Sequence, residues 1–441
     1  MTLILPGALP LSPGASRPDA QVKFNGSGGE FVTMCVKGAF LQLLTFGFYR
    51  FWLATDIRRH LWSHTAVEGE PLEYTGRGKE LFVGFLIALA ILVPINVAYF
   101  AVGIWAETAQ AFASLPFILF FVLFGQFALY RARRYRLTRS IWRGVRFWMT
   151  GSGWSYAFRW LGWGLLTALT LGLALPWMRA ALERYKLENT WYGDLRGAFV
   201  GRGADFFVRG LGYWLFFITP LILLAIGAFT TLGLKELIAD LDLDIDVPTM
   251  QGYEAVGSML AGAGAIWLVL VPLLWPFFRA LEWRWWAAGV RFGDLSLKCD
   301  ISGWSLLGVY VKLFFMSLIV AFGVSMALGA VGMIAAAIFG FDINALDPAN
   351  MARLSRSIPL IAGFALGYLV LLLAMGVVSR FYLTREVWRL IATSIQVLNP
   401  SAADNVAGRG AAANALGEGL ADGLDVAGDR KSTRLNSRHI P

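Results

Sequence analysis

Val145–Trp154 reads VRFWMTGSGW: an alternating, strand-like run, then a Gly-x-Gly, then the start of a long apolar segment. The arrangement recurs as Val22–Phe31 (VKFNGSGGEF), Leu72–Leu81 (LEYTGRGKEL), Gly197–Phe206 (GAFVGRGADF) and, degraded, Leu297–Leu306 (LKCDISGWSL). The glycine pairs are Gly26/Gly28, Gly76/Gly78, Gly151/Gly153 and Gly201/Gly203, with Ile301 and Gly303 in the degraded copy. Their first members are spaced by 50, 75, 50 and 100 residues, so whole units were duplicated. Each pair stands where an extended segment must turn into a helix, which calls for positive φ or a close backbone approach. A phosphate cradle is the functional alternative, but a lone G-x-G lacks the rest of either nucleotide fingerprint.

The apolar runs after these turns set the class of the protein. With 57% hydrophobic and 15% charged residues, 18 Trp and 33 Phe, the 441-residue chain is too apolar for an ordinary soluble protein. Its net charge of +9 comes from basic residues beside apolar helices, which argues for anionic lipid and against nucleic acid. Cys35 and Cys299 lie far apart at the edges of apolar elements and are expected as free thiols. Residues 1–20, rich in proline, are expected as a disordered lead-in, 21–399 as a repeat-built membrane domain and 400–428 as a disordered tail. Residues 429–441, DRKSTRLNSRHIP, resemble a translated sequencing adapter and are expected to be a read-through artefact that plays no part in the fold.

Eight apolar stretches follow in order: Phe31–Trp52, Leu81–Ile104, Ala113–Tyr130, Trp154–Trp177, Phe206–Leu232, Ala261–Phe278, Trp304 to about Phe339, and Pro359–Val378. Eight alternating crossings would put the basic junctions Arg131–Arg146 and Arg179–Arg202 on opposite faces, against the positive-inside bias. If Phe31–Trp52 and Trp154–Trp177 instead enter and leave on one side, every basic junction faces the cytoplasm and the acidic Glu236–Glu254 loop faces out. The expected fold is therefore an all-α polytopic membrane protein with internal repeats, about six spanning helices and two re-entrant or interfacial segments. Backbone broken at Gly47 and Gly172 is expected in those two segments. Small cytoplasmic hairpins, His64–Thr75, Ser140–Thr150 and Trp191–Val200, should pair with one another and with Val22–Asn25, since single hairpins are marginal alone.

Arginines five apart close four of the segments: Arg131/Arg136, Arg179/Arg184, Arg279/Arg284 and Arg380/Arg385. Snorkelling at the interface accounts for them; the sharper reading is a ring for anionic head groups or an anionic solute, its geometry set by Glu183 and Glu282. Among polar residues inside apolar stretches, Asn96 and Gln126 are the candidates for a pathway lining. His60 and His64, four apart with no nearby cysteine, make a poor metal site, and no catalytic, cofactor, haem or nucleotide signature stands out.

The stretch Phe24-x-Gly26-x-Gly28-x-Glu30-Phe31, Leu44-Thr45-Phe46-Gly47-Phe48-Tyr49 followed by Trp52, and Thr65, Gly69 and Tyr74-x-Gly76 resemble the YjgN-like family of bacterial inner-membrane proteins, a family of unknown function. The likeness runs from about Val22 to Val397; Pro176-Trp177 keeps a motif that reads Arg50-Phe51-Trp52 in the first copy. It implies an inner-membrane location and no activity, ligand or catalytic residue. A non-enzymatic transporter or channel-like protein is the first expectation from the repeats and broken helices. A membrane-organising or anionic-lipid-binding protein is the second, and a membrane-embedded enzyme the third.

Overall fold

The computed structural model describes residues 19–105, 110–233, 247–338 and 358–410. The lead-in up to 18, most of the acidic loop and the chain from 411 onward lie outside the described residues.

Each strand-like run leads into a helical excursion and each excursion returns to a strand. Strands β1 (Ala20–Gln21) and β2 (Lys23–Phe24) precede helices α1 (Gly28–Leu44) and α2 (Arg50–Ser63), then β3 (Thr65–Val67), β4 (Glu70–Pro71) and β5 (Glu73–Tyr74). Helices α3 (Gly78–Trp105) and α4 (Gln110–Thr138) lead to β6 (Ser140–Trp142) and β7 (Val145–Met149). Next come α5 (Gly153–Leu169), α6 (Leu175–Glu188), β8 (Thr190–Tyr192) and β9 (Leu195–Phe199), then α7 (Gly203–Ala228), α8 (Val247–Gly289), β10 (Val290–Phe292) and β11 (Leu295–Cys299). The last excursion is α9 (Gly303–Ile338), α10 (Ile358–Ser379), a π-helical segment Arg380–Glu386 and α11 (Val387–Thr393), ending in β12 (Ile395–Leu398).

The strand before each excursion pairs antiparallel with the strand after it. Lys23 faces Ala66, Glu73 faces Ile141, Phe147 faces Tyr192, Phe199 faces Val290 and Cys299 faces Ile395. Both feet of every helical hairpin therefore stand on the same sheet, and the basic junctions share one end of the helical layer. Tight turns at Arg143-Gly144, Gly193-Asp194 and Gly293-Asp294 join the pairs into a meander β5–β6–β7–β8–β9–β10–β11–β12.

The sheet closes on itself. β1 pairs with β12, and the adjoining β2 pairs with β3, which pairs with β4 beside β5. Only Val22 and Leu72 interrupt the bent strands, and their amides still donate to Ile395 O at 3.1 Å and Thr65 O at 2.9 Å. Counting Ala20–Phe24 and Glu70–Tyr74 as single bent strands, the described residues form a ring of ten. Closure removes the unpaired edges that strands of two to five residues would otherwise expose. The expected hairpins thus do pair, but the fold is not all-α: the sheet is larger than the sequence reading allowed, with β10, β11 and β12 added. Alternation sends Val145 and Phe147 inward and leaves Arg146 and Trp148 outside, where Trp148 stacks on Trp191 at 5.2 Å.

Five helices among the described residues are long and apolar enough to cross a membrane, against the six expected: Gly78–Ala101, Gly203–Thr231, Gly252–Gly289, Gly303–Ile334 and Ile361–Thr393. Their mean hydropathies are 2.0 to 2.6, and large side chains such as Val269, Phe322 and Met259 are exposed along them, as a lipid-facing surface requires. The expected sixth crossing, Ala113–Tyr130, falls in α4, part of whose side chains lie outside the described residues, and α4 is not among the five.

The two remaining segments turn back as helical hairpins, and they do so in the same way. Phe46-Gly47 and Leu171-Gly172 have positive φ, and the glycine amides reach Gln42 O and Thr167 O at 2.7 Å. Thr45 and Thr170 each donate to a carbonyl one turn back, Leu41 O at 2.7 Å and Leu166 O at 2.8 Å. The same hydroxyls accept from Tyr49 N at 3.0 Å and Ala174 N at 3.1 Å, opening the returning helix. Phe46 and Leu169, at the tips, are 93% and 82% exposed. Broken backbone at both points matches the sequence expectation and leaves apolar tips that suit a bilayer.

The repeat glycines are packing positions. At Gly26, Gly76 and Gly201 an added Cβ would meet the aromatic ring two residues back, Phe24, Tyr74 or Phe199, at 2.6 Å. Gly78 and Gly203 sit against the backbones of Trp52 and Trp177, Gly153 against Phe127 and Gly303 against Phe277. Only Gly151 of the set has positive φ.

Residues 400–410 do not behave as the start of a disordered tail. Pro400 and Ala403 are buried, and Ala402, Ala403 and Val406 pack on the interior of the ring. At the other end, Ala20 already belongs to β1 and is not part of the lead-in.

Candidate functional site

The arginine pairs fall on the four returning arms α4, α6, α8 and Arg380–Glu386, the first three leading directly into a strand and the last into α11. Two of the eight arginines share a cavity. Arg179 and Arg279 line a space of about 200 Å³ together with Arg133, Glu183, Glu282 and the tryptophans 283, 285 and 286. Glu282 ties the two arginines together: it pairs with Arg279 and stands 3.6 Å from Arg179 Nε. Glu183 is engaged by Lys186 and accepts from Trp286 Nε1 at 3.1 Å. Burial alone would raise the Glu183 carboxyl, but the charges of Lys186 and Arg133 outweigh it and hold the group below its ordinary range.

Three guanidiniums and Lys186 therefore face two carboxylates. Arg133 Nε is buried and has no hydrogen-bond partner, so one donor at this cavity is unspent. Geometry and charge together favour an oxygen-rich anion within a tryptophan-flanked recess at the base of the helices. The sequence reading anticipated Arg179, Arg279 and the two glutamates but missed Arg133, whose membership depends on how α4 packs beside α6 and α8.

The other six arginines do not join this cavity. Arg385 is buried at the first repeat turn, where Nη2 donates to Gly26 O at 2.7 Å, the guanidinium pairs with Glu386, and Phe24 and Phe381 lie at 5.7 and 5.3 Å. It fastens the last excursion to the first and lies outside the Arg179–Arg279 cavity. Arg380 packs near Gly376 with Nη1 buried, Arg184 and Arg284 are exposed, and Arg131 and Arg136 are half-buried on α4. One continuous ring of eight arginines is thus not what forms.

Asn96 Nδ2 donates to Leu92 O at 2.8 Å, one turn back in its own helix. Gln126 is half-buried on α4, and neither residue lines any cavity described here. His60 and His64, whose rings lie 4.2 Å apart, are joined by Glu30, with ligand atoms within 4.8 Å of one another. The carboxylate adds a third ligand atom to the two histidines that the sequence made a poor metal site, but a guanidinium counts against a bound cation. Burial first, then His64 and Arg385, lower the imidazole of His60 against the pull of Glu30, and the positive charge of Arg385 opposes a bound cation. Both cysteines are free and buried, as expected.

A second recess lies inside the ring. Val67, Leu72, Trp142, Phe147, Tyr192, Leu195, Phe292, Leu295, Leu297 and Val397 enclose about 190 Å³ with no polar surface.

Comparison with known proteins agrees with the membrane character. The profile of DUF898, described as bacterial protein of unknown function, matches residues 19–423. Inner membrane protein YjgN of Salmonella typhimurium is 27% identical over 70 residues, covering 16% of this chain and 18% of that relative's length. No solved structure matches. With the profile running from the first strand of the ring to beyond its closing segment, the chain belongs to the DUF898 family of bacterial proteins of unknown function.

Proposed function

We propose that this is a non-enzymatic, multi-pass inner-membrane protein that binds the anionic head group of a lipid, or an anionic solute of like chemistry, at the Arg133–Arg179–Arg279 cavity. The carrying observation is the convergence of three arginines from α4, α6 and α8 on one recess, with the buried Arg133 Nε left without a partner. Supporting it are the tryptophans around the recess, the shared end of all basic junctions, and the inner-membrane location in the name of a relative. In this reading the ring and basic junctions face the cytoplasm. Transport is the second reading, favoured by the two helical hairpins broken at Gly47 and Gly172.

The test is native mass spectrometry of the protein in nanodiscs containing phosphatidylglycerol and phosphatidylcholine. Selective retention of phosphatidylglycerol, lost at least tenfold in Arg133→Gln/Arg279→Gln with folding intact, is the expected result. Equal retention of both lipids by the native protein overturns the head-group reading. Flux of ions or solutes in liposomes, abolished by Asn96→Leu or Gln126→Leu, would move the assignment to transport. A reporter fused near Asp242 should read outside and one near Arg196 inside; the reverse at either place sinks the orientation.

A further inference from the structure

We propose that the lumen of the ten-strand ring is a binding site for one hydrocarbon chain, the acyl chain of a fatty acid or of a lipid. This stands apart from the arginine-lined cavity, and either can fail without the other.

Strand number comes first. About eight strands already give an interior that side chains just fill or that holds one small ligand, and diameter grows with each strand added. A ring of ten is wider, so Phe147, Tyr192, Phe292 and Leu297 leave a gap for a geometric reason and not through a packing lapse.

The lining sets the chemistry. No polar surface faces the 190 Å³ space; the Tyr192 hydroxyl donates to Trp142 O at 3.0 Å, and the indole Nε1 of Trp142, itself without a partner, is buried away from the space. Water needs two to four polar partners and finds none there, whereas a dry apolar cavity of about 150 Å³ takes up a benzene-sized solute. On that scale the lumen accepts about eight carbons. A polar head could not be buried in it without loss of its hydrogen bonds, so the head must stay outside.

The two mouths differ, and this points to a chain. At the end bearing the tight turns, residues 399–410 cross the opening: Ala402, Ala403 and Val406 lie on the lumen cluster, Asp404 pairs with Arg143, and the Ala407 amide donates to Asp194. That mouth is covered. The opposite mouth is where strands run into helices, beside the layer that spans the bilayer, the reservoir of acyl chains, and there Ala392 and Trp388 of α11 pack on the lumen cluster.

The experiment uses the full chain in nanodiscs with a fatty acid carrying a diazirine at its chain end, and separately with a phospholipid carrying the same group. After irradiation the labelled peptides are mapped. Labelling on β7 and β11, saturable by excess unmodified fatty acid and cut at least tenfold by Leu195→Trp, is expected. Leu318→Trp on the lipid-facing side of α9 should leave it unchanged. Ring labelling from the fatty acid alone identifies a free acid as the source, and labelling from the phospholipid identifies a membrane lipid; either supports the site. Labelling confined to α7–α10, or not saturable on the ring, overturns it. Competition on the native protein keeps the test decisive even where Leu195→Trp fails to fold.

Discussion

Arg143 Nη1 donates to Asp404 Oδ1 at 2.9 Å, joining residues 261 positions apart, while the same guanidinium pairs with Glu68. One side chain on the β6–β7 turn thus latches both the β3–β4 turn and the segment that covers the ring. The pair is partly exposed, so its contribution is modest, roughly 0.5–1 kcal/mol. In Asp404→Ala we expect faster hydrogen exchange at the amides of Ala402 and Ala407 with the ring strands unaffected. Unchanged exchange at both would show that apolar packing alone holds the segment.

The tight glycines carry a steric prediction. In Gly78→Ala and Gly203→Ala the new methyl meets a tryptophan backbone at 2.8–2.9 Å, and backbone cannot step aside cheaply. Each should lose roughly 1–3 kcal/mol of stability. Gly212→Ala on α7, with open space around it, should be neutral or slightly stabilising. Thermal unfolding in detergent compares the three, and equal midpoints would contradict the close-approach account.

Gly47 separates backbone strain from crowding. It has φ +87° and nothing within 4 Å, so Gly47→Ala pays for backbone conformation alone, roughly 1–2 kcal/mol. Gly172→Ala, at φ +90° with Trp214 Nε1 3.4 Å away, should cost at least as much. A stabilised Gly47→Ala, by the same thermal assay, would mean the turn is not left-handed.

Glu183 predicts a pH dependence with a definite sign. Its folded carboxyl titrates below its ordinary value of 4.5, so it contributes stability above that pH that is lost as pH falls through the folded value. Unfolding followed from pH 7 to pH 3 should show this loss in the native chain and a flatter profile in Glu183→Gln. Identical profiles would remove the ion pair with Lys186 as the cause.

The thiols should be inert. Cys35 is fully buried, and burial, opposed by the charge of Arg380, pushes its thiol up to about 11; Cys299 is 4% exposed. Maleimide at neutral pH should label neither in the folded protein and both after denaturation. Rapid labelling of Cys35 would place α1 further from α2 than Leu53 and Ile57 now hold it.

Much of the fold was written locally. Val145–Met149 alternates because Phe147 must face an apolar interior while Arg146 does not, and a reader of sequence sees that period directly. The breaks at Gly47 and Gly172 are equally local, since Thr-x-Gly ends one helix and begins the next within five residues. Arg133 was not legible: it is one arginine among several in a basic run, and only the packing of α4 beside α6 and α8 singles it out.

By itself, then, the sequence determined a membrane protein made of strand–glycine–helix repeats with two excursions that turn back, because hydropathy, periodicity and turn chemistry act over a few residues. Tertiary structure decided that Ala20 pairs with Val397 and closes ten strands into a ring, that Arg385, a candidate member of the arginine ring, instead fastens the first turn, and that an apolar space remains at the centre. Those outcomes depend on the register between hairpins far apart in the chain, a quantity no local pattern encodes.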